Sequence, residues 1–336
     1  MSYFAFHAAG LGSIVAECLR SDLNDVDILE ADGSGLHFKS SSPATLVGAL
    51  PYLRNTFEVL TTAPRREIGS TISDLAARVR KIPRGNRSNM AFRVMAQIDG
   101  ELLSITTESR RRLEQAITTT IGGRVEPRGS GNEYWVIGRR DLDIVFLGRR
   151  LKKDAQPKPA RGELASELAH LIVRISQPRS DDIVLDPFAG SGALLVARSG
   201  LPYARLIYSD LELAQHRGRL GPLRSLRAVQ LLADDALTLP HVKDRSVTSI
   251  ITDPPWGEHT DVSGDYADFA IAMFTSFERV LSPANGRVAV LTGRQITGAT
   301  LRAAEERGFA ILATHDILVN GHPATVVVAR PRSRID

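Results

Sequence analysis

The sequence predicts an α/β chain in three parts: a doubly wound C-terminal sheet, preceded by a small α+β unit and a second, more basic α+β domain. Three observations carry this expectation. Ile183 to Leu185 is a short apolar run that meets Asp186, passes through Ala189-Gly190-Ser191-Gly192 and opens onto an apolar helical pattern, which reads as a buried strand, a tight turn and a helix start. Three further apolar runs follow, Leu206 to Ser209, Val229 to Leu232 and Val247 to Thr252, and each meets an acidic residue at its end: Asp210, Asp234-Asp235 and Asp253. The chain before Arg149 instead alternates short strand-like and helical runs, with a more basic second half.

The elements can be justified in chain order. Tyr3 to His7, Val26 to Leu29, Leu36 to Lys39 and Thr56 to Leu60 read as strands. Leu11 to Leu19, entered through Gly10-Leu11-Gly12, and Thr45 to Leu50 have helical spacing. These place a first α+β unit at 1–62 with no catalytic cluster. In 63–148, Ile72 to Val79 and Thr107 to Ile121 are helical, with Gly122-Gly123 as a stop signal. Ala91 to Ile98, Tyr134 to Ile137 and Leu142 to Leu147 are the strands of this part. Its charge is concentrated: Arg84 and Arg87 lie in one loop, and Arg110, Arg111 and Arg112 in the second helix. A solvated basic surface and a phosphate-binding face are both consistent with that charge. Arg149-Arg150-Leu151-Lys152-Lys153 and the prolines Pro157 and Pro159 break all periodicity, so 149–161 is expected to be a stiff basic linker. The doubly wound domain then fills 162–336, with Arg287 to Leu291, Ile311 to Val319 and Thr325 to Ala329 as its last strands.

The composition narrows the chemistry. The 336 residues allow two or three domains, and 43% hydrophobic with 24% charged residues is ordinary for a globular chain. No apolar run reaches membrane length, and the N-terminus lacks a secretory pattern, so a cytoplasmic protein with no membrane partner is expected. A single cysteine, Cys18, excludes an internal disulfide. It also lies far in sequence from both sharp motifs, which disfavours thiolate-dependent chemistry. His241, His259, His315 and His322 have no metal spacing, and no metal is expected.

The glycine turn is the first motif with chemical content. Gly190 and Gly192 permit positive φ and let a ligand lie against free N–H groups at a helix start. A phosphate loop would end in Gly-Lys-Ser/Thr, and a dinucleotide loop would have a third glycine; neither feature is present. Asp186 would repel a phosphate but suits a cationic, amino-acid-like ligand, of which S-adenosylmethionine is the common example. Asp210 lies about two dozen residues further on, the distance at which a strand-end carboxylate accepts ribose hydroxyls. Asp235, before the small Ala236, is the candidate acceptor for an adenine amine. The expected cofactor set is therefore Asp186, Phe188, Ala189, Gly190, Ser191, Gly192, Asp210, Leu211, Asp235, Ala236 and Asp253.

The second motif is Asp253-Pro254-Pro255-Trp256-Gly257. Two prolines fix φ and hold carbonyl oxygens and the carboxylate in one orientation. An exocyclic amine has two N–H donors for such acceptors. Trp256 presents a flat face for a base that has left its stack. Asp253, Pro254, Pro255 and Trp256 are thus the expected catalytic group.

Together, Asp186 to Gly192 and Asp253 to Gly257 resemble the cofactor and catalytic motifs of class I S-adenosylmethionine-dependent amino-methyltransferases. With the Gly10-Leu11-Gly12 entry and the Gly122-Gly123 turn, nearly the whole chain is similar to the THUMP-domain RNA guanine-N2 methyltransferases. The resemblance implies a Rossmann-like domain of seven strands with an antiparallel last strand, a ferredoxin-like N-terminal unit and a THUMP-like RNA-binding domain. It implies tRNA as partner, gripped by Arg84, Arg87, Arg110, Arg111, Arg112, Arg149, Arg150, Lys152 and Lys153, and a monomeric enzyme acting on guanosine N2. Trp256 stands where that family more often has Tyr or Phe, and Asp-Pro-Pro-Trp is also familiar from adenine-N6 methyltransferases. Adenine methylation, ribosomal RNA as substrate, and RNA binding without catalysis remain the alternatives.

Overall fold

The computed structural model describes residues 1–83, 88–128, 131–151, 163–257 and 265–332. Two compact units divide the chain. The first comprises Met1–His7 and Val15–Ala155, the second Ala8–Ile14 and Gln156–Asp336.

The first unit begins β1 (Ser2–Phe6), α1 (Gly12–Asp22), β2 (Asp27–Ala31), β3 (Gly35–Lys39), α2 (Ala44–Ala49) and β4 (Thr56–Pro64). These strands lie in the order β2-β3-β1-β4, the βαββαβ arrangement of ferredoxin-like units. There follow α3 (Ile68–Val79), β5 (Ser88–Ile98), β6 (Glu101–Leu102), α4 (Thr107–Thr120), β7 (Gly122–Val125), β8 (Asn132–Gly138) and β9 (Ile144–Arg150). The helix starts are built locally: Glu67 accepts from the Gly69 and Ser70 N–H groups, and Thr106 from that of Ser109. Gly122 and Gly123 both take φ of 93°, so the chain turns out of α4 and runs on as β7.

Two boundaries differ from the sequence expectation. The division placed at 62 falls inside β4, whose residues pair with β1 on one side and β9 on the other. A single nine-stranded sheet therefore continues through that point, because both edges of β4 are hydrogen-bonded. The linker placed at 149–161 begins inside β9, where Arg149 lies opposite Glu58 and Arg150 opposite Phe57. The charge of Arg149 and Arg150 hid the strand; both side chains are consumed by cross-strand partners. Of the remaining linker residues, 152–161 lie outside the described residues.

The second unit contains α5 (Ser166–Ile175), β10 (Ile183–Asp186), α6 (Ala193–Ser199), β11 (Arg205–Ser209), α7 (Leu213–His216), α8 (Gly221–Arg224), β12 (Val229–Leu232) and β13 (Ser249–Thr252). It closes with α9 (Tyr266–Val280), β14 (Arg287–Gly293), α10 (Thr297–Glu306), β15 (Phe309–Val319) and β16 (His322–Pro331). The seven-stranded sheet has the order β12-β11-β10-β13-β14-β16-β15. The last strand, β16, is antiparallel to both of its neighbours, as expected. Phe274, Phe277 and Phe309 pack with Val288, Val290 and Ile250 in a fully buried core. At the start of β10, buried Asp182 accepts from buried Arg198 and Arg287, fixing the end of the sheet remote from the glycine turn.

Candidate active site at the strand ends

The strand order reverses between β10 and β13, and a crevice at the carboxyl ends of such strands is the usual ligand site of an open α/β sheet. Asp186 ends β10 and is 1% exposed. Its carboxylate accepts from the Thr252 hydroxyl on β13 at 2.8 Å and from the Phe188 N–H at 3.3 Å. Burial pushes this carboxyl up to about 8, with the nearby Asp253 and Asp210 carboxylates adding to the shift. Asp253, one residue past β13, is half-buried and is pushed up to about 7, again mainly by desolvation. The Trp256 indole N–H donates to its Oδ1 at 3.0 Å and opposes that shift.

Asp186 and Asp253 both line a cavity of about 260 Å³. Phe188, Ala189, Gly190 and Ser191 of the glycine turn line it as well. Gly190 takes φ of +49°, and a Cβ there would meet nothing within 4 Å, so its ligand side is open. Gly192, at φ of +81°, is confined: a Cβ would lie 2.8 Å from Leu223 Cδ1. The two glycines thus have different duties, one giving room to a ligand and one letting the turn pack on α8.

The turn is held from β11. The Tyr208 hydroxyl donates to the Gly190 carbonyl at 2.7 Å, and the Gly190 N–H donates to Asp210 Oδ2 at 2.8 Å. Asp210 Oδ1 also accepts from the Glu212 N–H at 2.8 Å. Asp210 therefore shapes the glycine turn itself and does not line the cavity; nor do Gly192, Leu211, Asp235 and Ala236. Leu211 is 71% exposed. Asp235 is exposed and caps its own turn through the Leu237 N–H, whereas Asp234 is buried and bonds to His241 Nδ1 at 2.6 Å. Pro254 is buried, and the Trp256 ring lies against β14, 3.2 Å from where a Cβ on Gly293 would be.

Leu164, Ala193, Leu194, Glu163, His216 and Arg219 also line the cavity and were not expected. The last two lie between β11 and β12, His216 at the end of α7 and Arg219 before α8, both helices of four residues and too short to show a period in the sequence, so only the tertiary structure brings them to the cavity. Of the expected RNA-facing residues, Arg111 and Arg112 are exposed and Arg110 is half-buried. Arg112 is bonded to Glu108 and Ser73. Arg149 and Arg150 are committed to Glu58 and Glu133, which weakens their case as phosphate ligands. Arg84, Arg87, Lys152 and Lys153 lie outside the described residues, as does His259. Among the described residues no group of His, Cys, Asp and Glu could hold a metal ion, and no helix is long and apolar enough to cross a membrane.

The cavity fits S-adenosylmethionine. Two carboxyls, raised by burial and bonded, among the described residues, to a hydroxyl, an amide and an indole N–H, would be relieved by a cationic ligand. The open face of Gly190 admits a nucleoside against backbone. The seven-stranded sheet and this site define an S-adenosylmethionine-dependent methyltransferase. Residues 153–206 and 220–315 match the family model of the RMKL-like methyltransferase domain UPF0020. The tRNA (guanine(6)-N2)-methyltransferase of Thermus thermophilus is 30% identical over 236 residues, 66% of this chain and 67% of the relative. The chain belongs to the family of tRNA guanine-N2 methyltransferases that includes this relative. The tRNA (guanine(10)-N2)-dimethyltransferase of Methanothermobacter thermautotrophicus is 28% identical over 143 residues, 41% of each chain. Among solved structures, TrmN from Thermus thermophilus superposes with a TM-score of 0.78 at 22% identity, over 98% of this chain and 99% of its own. SMU.472, complexed with SAH, superposes at 0.65 with 13% identity, over 98% of each.

Proposed function

We propose that this methyltransferase acts on the exocyclic N2 of a guanosine in tRNA. The observation that carries the reading is the placement of Asp253, at the head of the Asp-Pro-Pro-Trp turn, on the same cavity as Asp186 and the glycine turn. The Thermus and Methanothermobacter relatives, by their names, methylate guanine N2 of tRNA, which supports the choice of base and of RNA. The arginines of α4 supply a positive surface in the first unit, which we read as a THUMP-like RNA-binding part, in a cytoplasmic enzyme.

The residues divide the task as follows. When bound, S-adenosylmethionine supplies an electrophilic methyl group. Asp186 and the turn at Gly190 would hold and orient it, and Tyr208 and Asp210 keep Gly190 in place. The Trp256 N–H holds Asp253 Oδ1, which orients Oδ2 as acceptor for one N–H of the guanine amine. The Pro254 carbonyl, on the same rigid turn, is the acceptor for the other. Two such bonds draw the amine lone pair away from the ring and aim it, so proximity does much of the work. The proton released from nitrogen passes to Asp253 Oδ2, whose affinity near pH 7 matches that role. Incubation of tRNA with labelled S-adenosylmethionine, followed by nucleoside digestion, should place the label in N2-methylguanosine. Label in N6-methyladenosine would overturn the choice of base, and no label in any nucleoside would leave RNA binding without catalysis.

A further inference from the structure

We infer that Arg219, held by Glu163, is the carboxylate receptor for the amino-acid end of the cofactor; this rests on the S-adenosylmethionine reading of the cavity. Among the described residues, the lining of that cavity carries three carboxylates, Glu163, Asp186 and Asp253, and one guanidinium, Arg219. A ligand that complements them carries more positive than negative charge and still has one anionic group. S-Adenosylmethionine has that pattern, with a sulfonium, an ammonium and a carboxylate. The acidic residues suit the two cations, and among the described lining residues Arg219 is the cation that suits the anion.

The geometry supports the assignment. The Arg219 side chain is 57% exposed, and its Nη1 is bonded to Glu163 Oε1. A guanidinium has five N–H donors in a planar fork, so one carboxylate partner leaves donors for a second. Glu163 also fixes the long side chain beside the cavity, which reduces the ordering cost when a ligand binds. His216 lines the same wall and lies 3.8 Å from Asp210, so this segment follows the residue that shapes the glycine turn.

Calorimetry with two ligands tests the inference. S-Adenosylhomocysteine carries the amino-acid end; 5′-methylthioadenosine has the same nucleoside and a thioether but lacks it. Arg219→Ala in the full chain should weaken S-adenosylhomocysteine roughly ten- to a hundredfold, the range for a charged hydrogen bond. It should leave 5′-methylthioadenosine within about twofold of wild type, a result that also shows the site is intact. Arg219→Lys should recover part of the loss, because a point charge replaces the fork. Unchanged S-adenosylhomocysteine affinity in Arg219→Ala, or an equal loss for both ligands, would overturn the assignment. A wild-type chain that binds neither ligand would overturn the cofactor reading beneath it.

Discussion

Replacing Trp256 by Phe should cost activity at neutral pH and give it back in alkali. The substitution keeps a flat aromatic face but removes the indole N–H that donates to Asp253 Oδ1 at 3.0 Å. That bond lowers the Asp253 pKa against the upward push of burial, and the carboxyl rests at about 7. A hydrogen bond to a charged group contributes about 1.5–3 kcal/mol, and the half-buried position of Asp253 favours the low end. About 1.4 kcal/mol is one pKa unit, so the variant's carboxyl should titrate near pH 8. At pH 7 the ionised, accepting fraction then falls from about a half to about a tenth, roughly fivefold. Single-turnover rates with saturating cofactor and tRNA, taken from pH 6 to 9.5, read this directly. The wild-type rate should rise through about pH 7, and that of Trp256→Phe about one unit later, with converging plateaus. A profile of unchanged midpoint with a uniformly lowered plateau would assign Trp256 to stacking alone and refute the hydrogen-bond argument.

Other expectations follow from the same geometry. Gly192→Ala should lower stability by about 1–2 kcal/mol or more, from positive φ and the approach of Leu223, whereas Gly190→Ala should be milder on Tm and stronger on S-adenosylhomocysteine affinity; reversed rankings by melting and calorimetry would contradict the two duties. Asp186 is raised from 3.8 to about 8, so the folded chain keeps a proton that the unfolded chain releases, and its contribution is full below pH 3.8 and lost as pH rises through 8. The Tm advantage of Asp186→Asn over wild type, both without cofactor, should therefore grow from pH 5 to 8, and a constant or shrinking difference would contradict the raised carboxyl. Replacing Arg110, Arg111 and Arg112 together by Ala should flatten the salt dependence of tRNA binding and leave S-adenosylhomocysteine affinity unchanged; an unaltered salt slope would remove α4 from the RNA face.

What the sequence made legible was mainly local. The turn from Asp186 to Gly192 and the Asp253 turn each announce themselves within seven residues, because glycine, proline and a strand-end acid impose backbone geometry wherever they occur. The strands of the second unit were legible as apolar runs, since a sheet covered on both faces needs them. The continuity of the first sheet was not, because β4 pairs on both edges with strands distant in sequence. Arg149 and Arg150 looked like linker residues because charge hides a strand until its cross-strand acids, Glu58 and Glu133, are known. Asp210 was legible as a strand-end acid, but its bond to the Gly190 N–H joins residues twenty apart. Arg219 and Glu163 carry no periodic or motif signal, and 56 residues separate the pair. The Trp256 bond to Asp253 spans only three residues, yet it depends on the indole edge facing the carboxylate, which composition cannot specify.

The most direct test of the central claim is Asp253→Ala, assayed for binding and for chemistry on the same protein. Asp253 acts on the amine as the transition state forms, while Asp186, the glycine turn and the arginines provide ground-state binding. S-Adenosylhomocysteine and tRNA affinities should stay within about twofold of wild type. The single-turnover rate of methyl transfer to guanosine should fall on the order of 10²-fold or more, as when a preorganised charged group is removed from a reacting centre. A variant that still transfers methyl groups at near the wild-type rate would contradict the account, and so would one whose lost rate is matched by an equal loss of cofactor affinity.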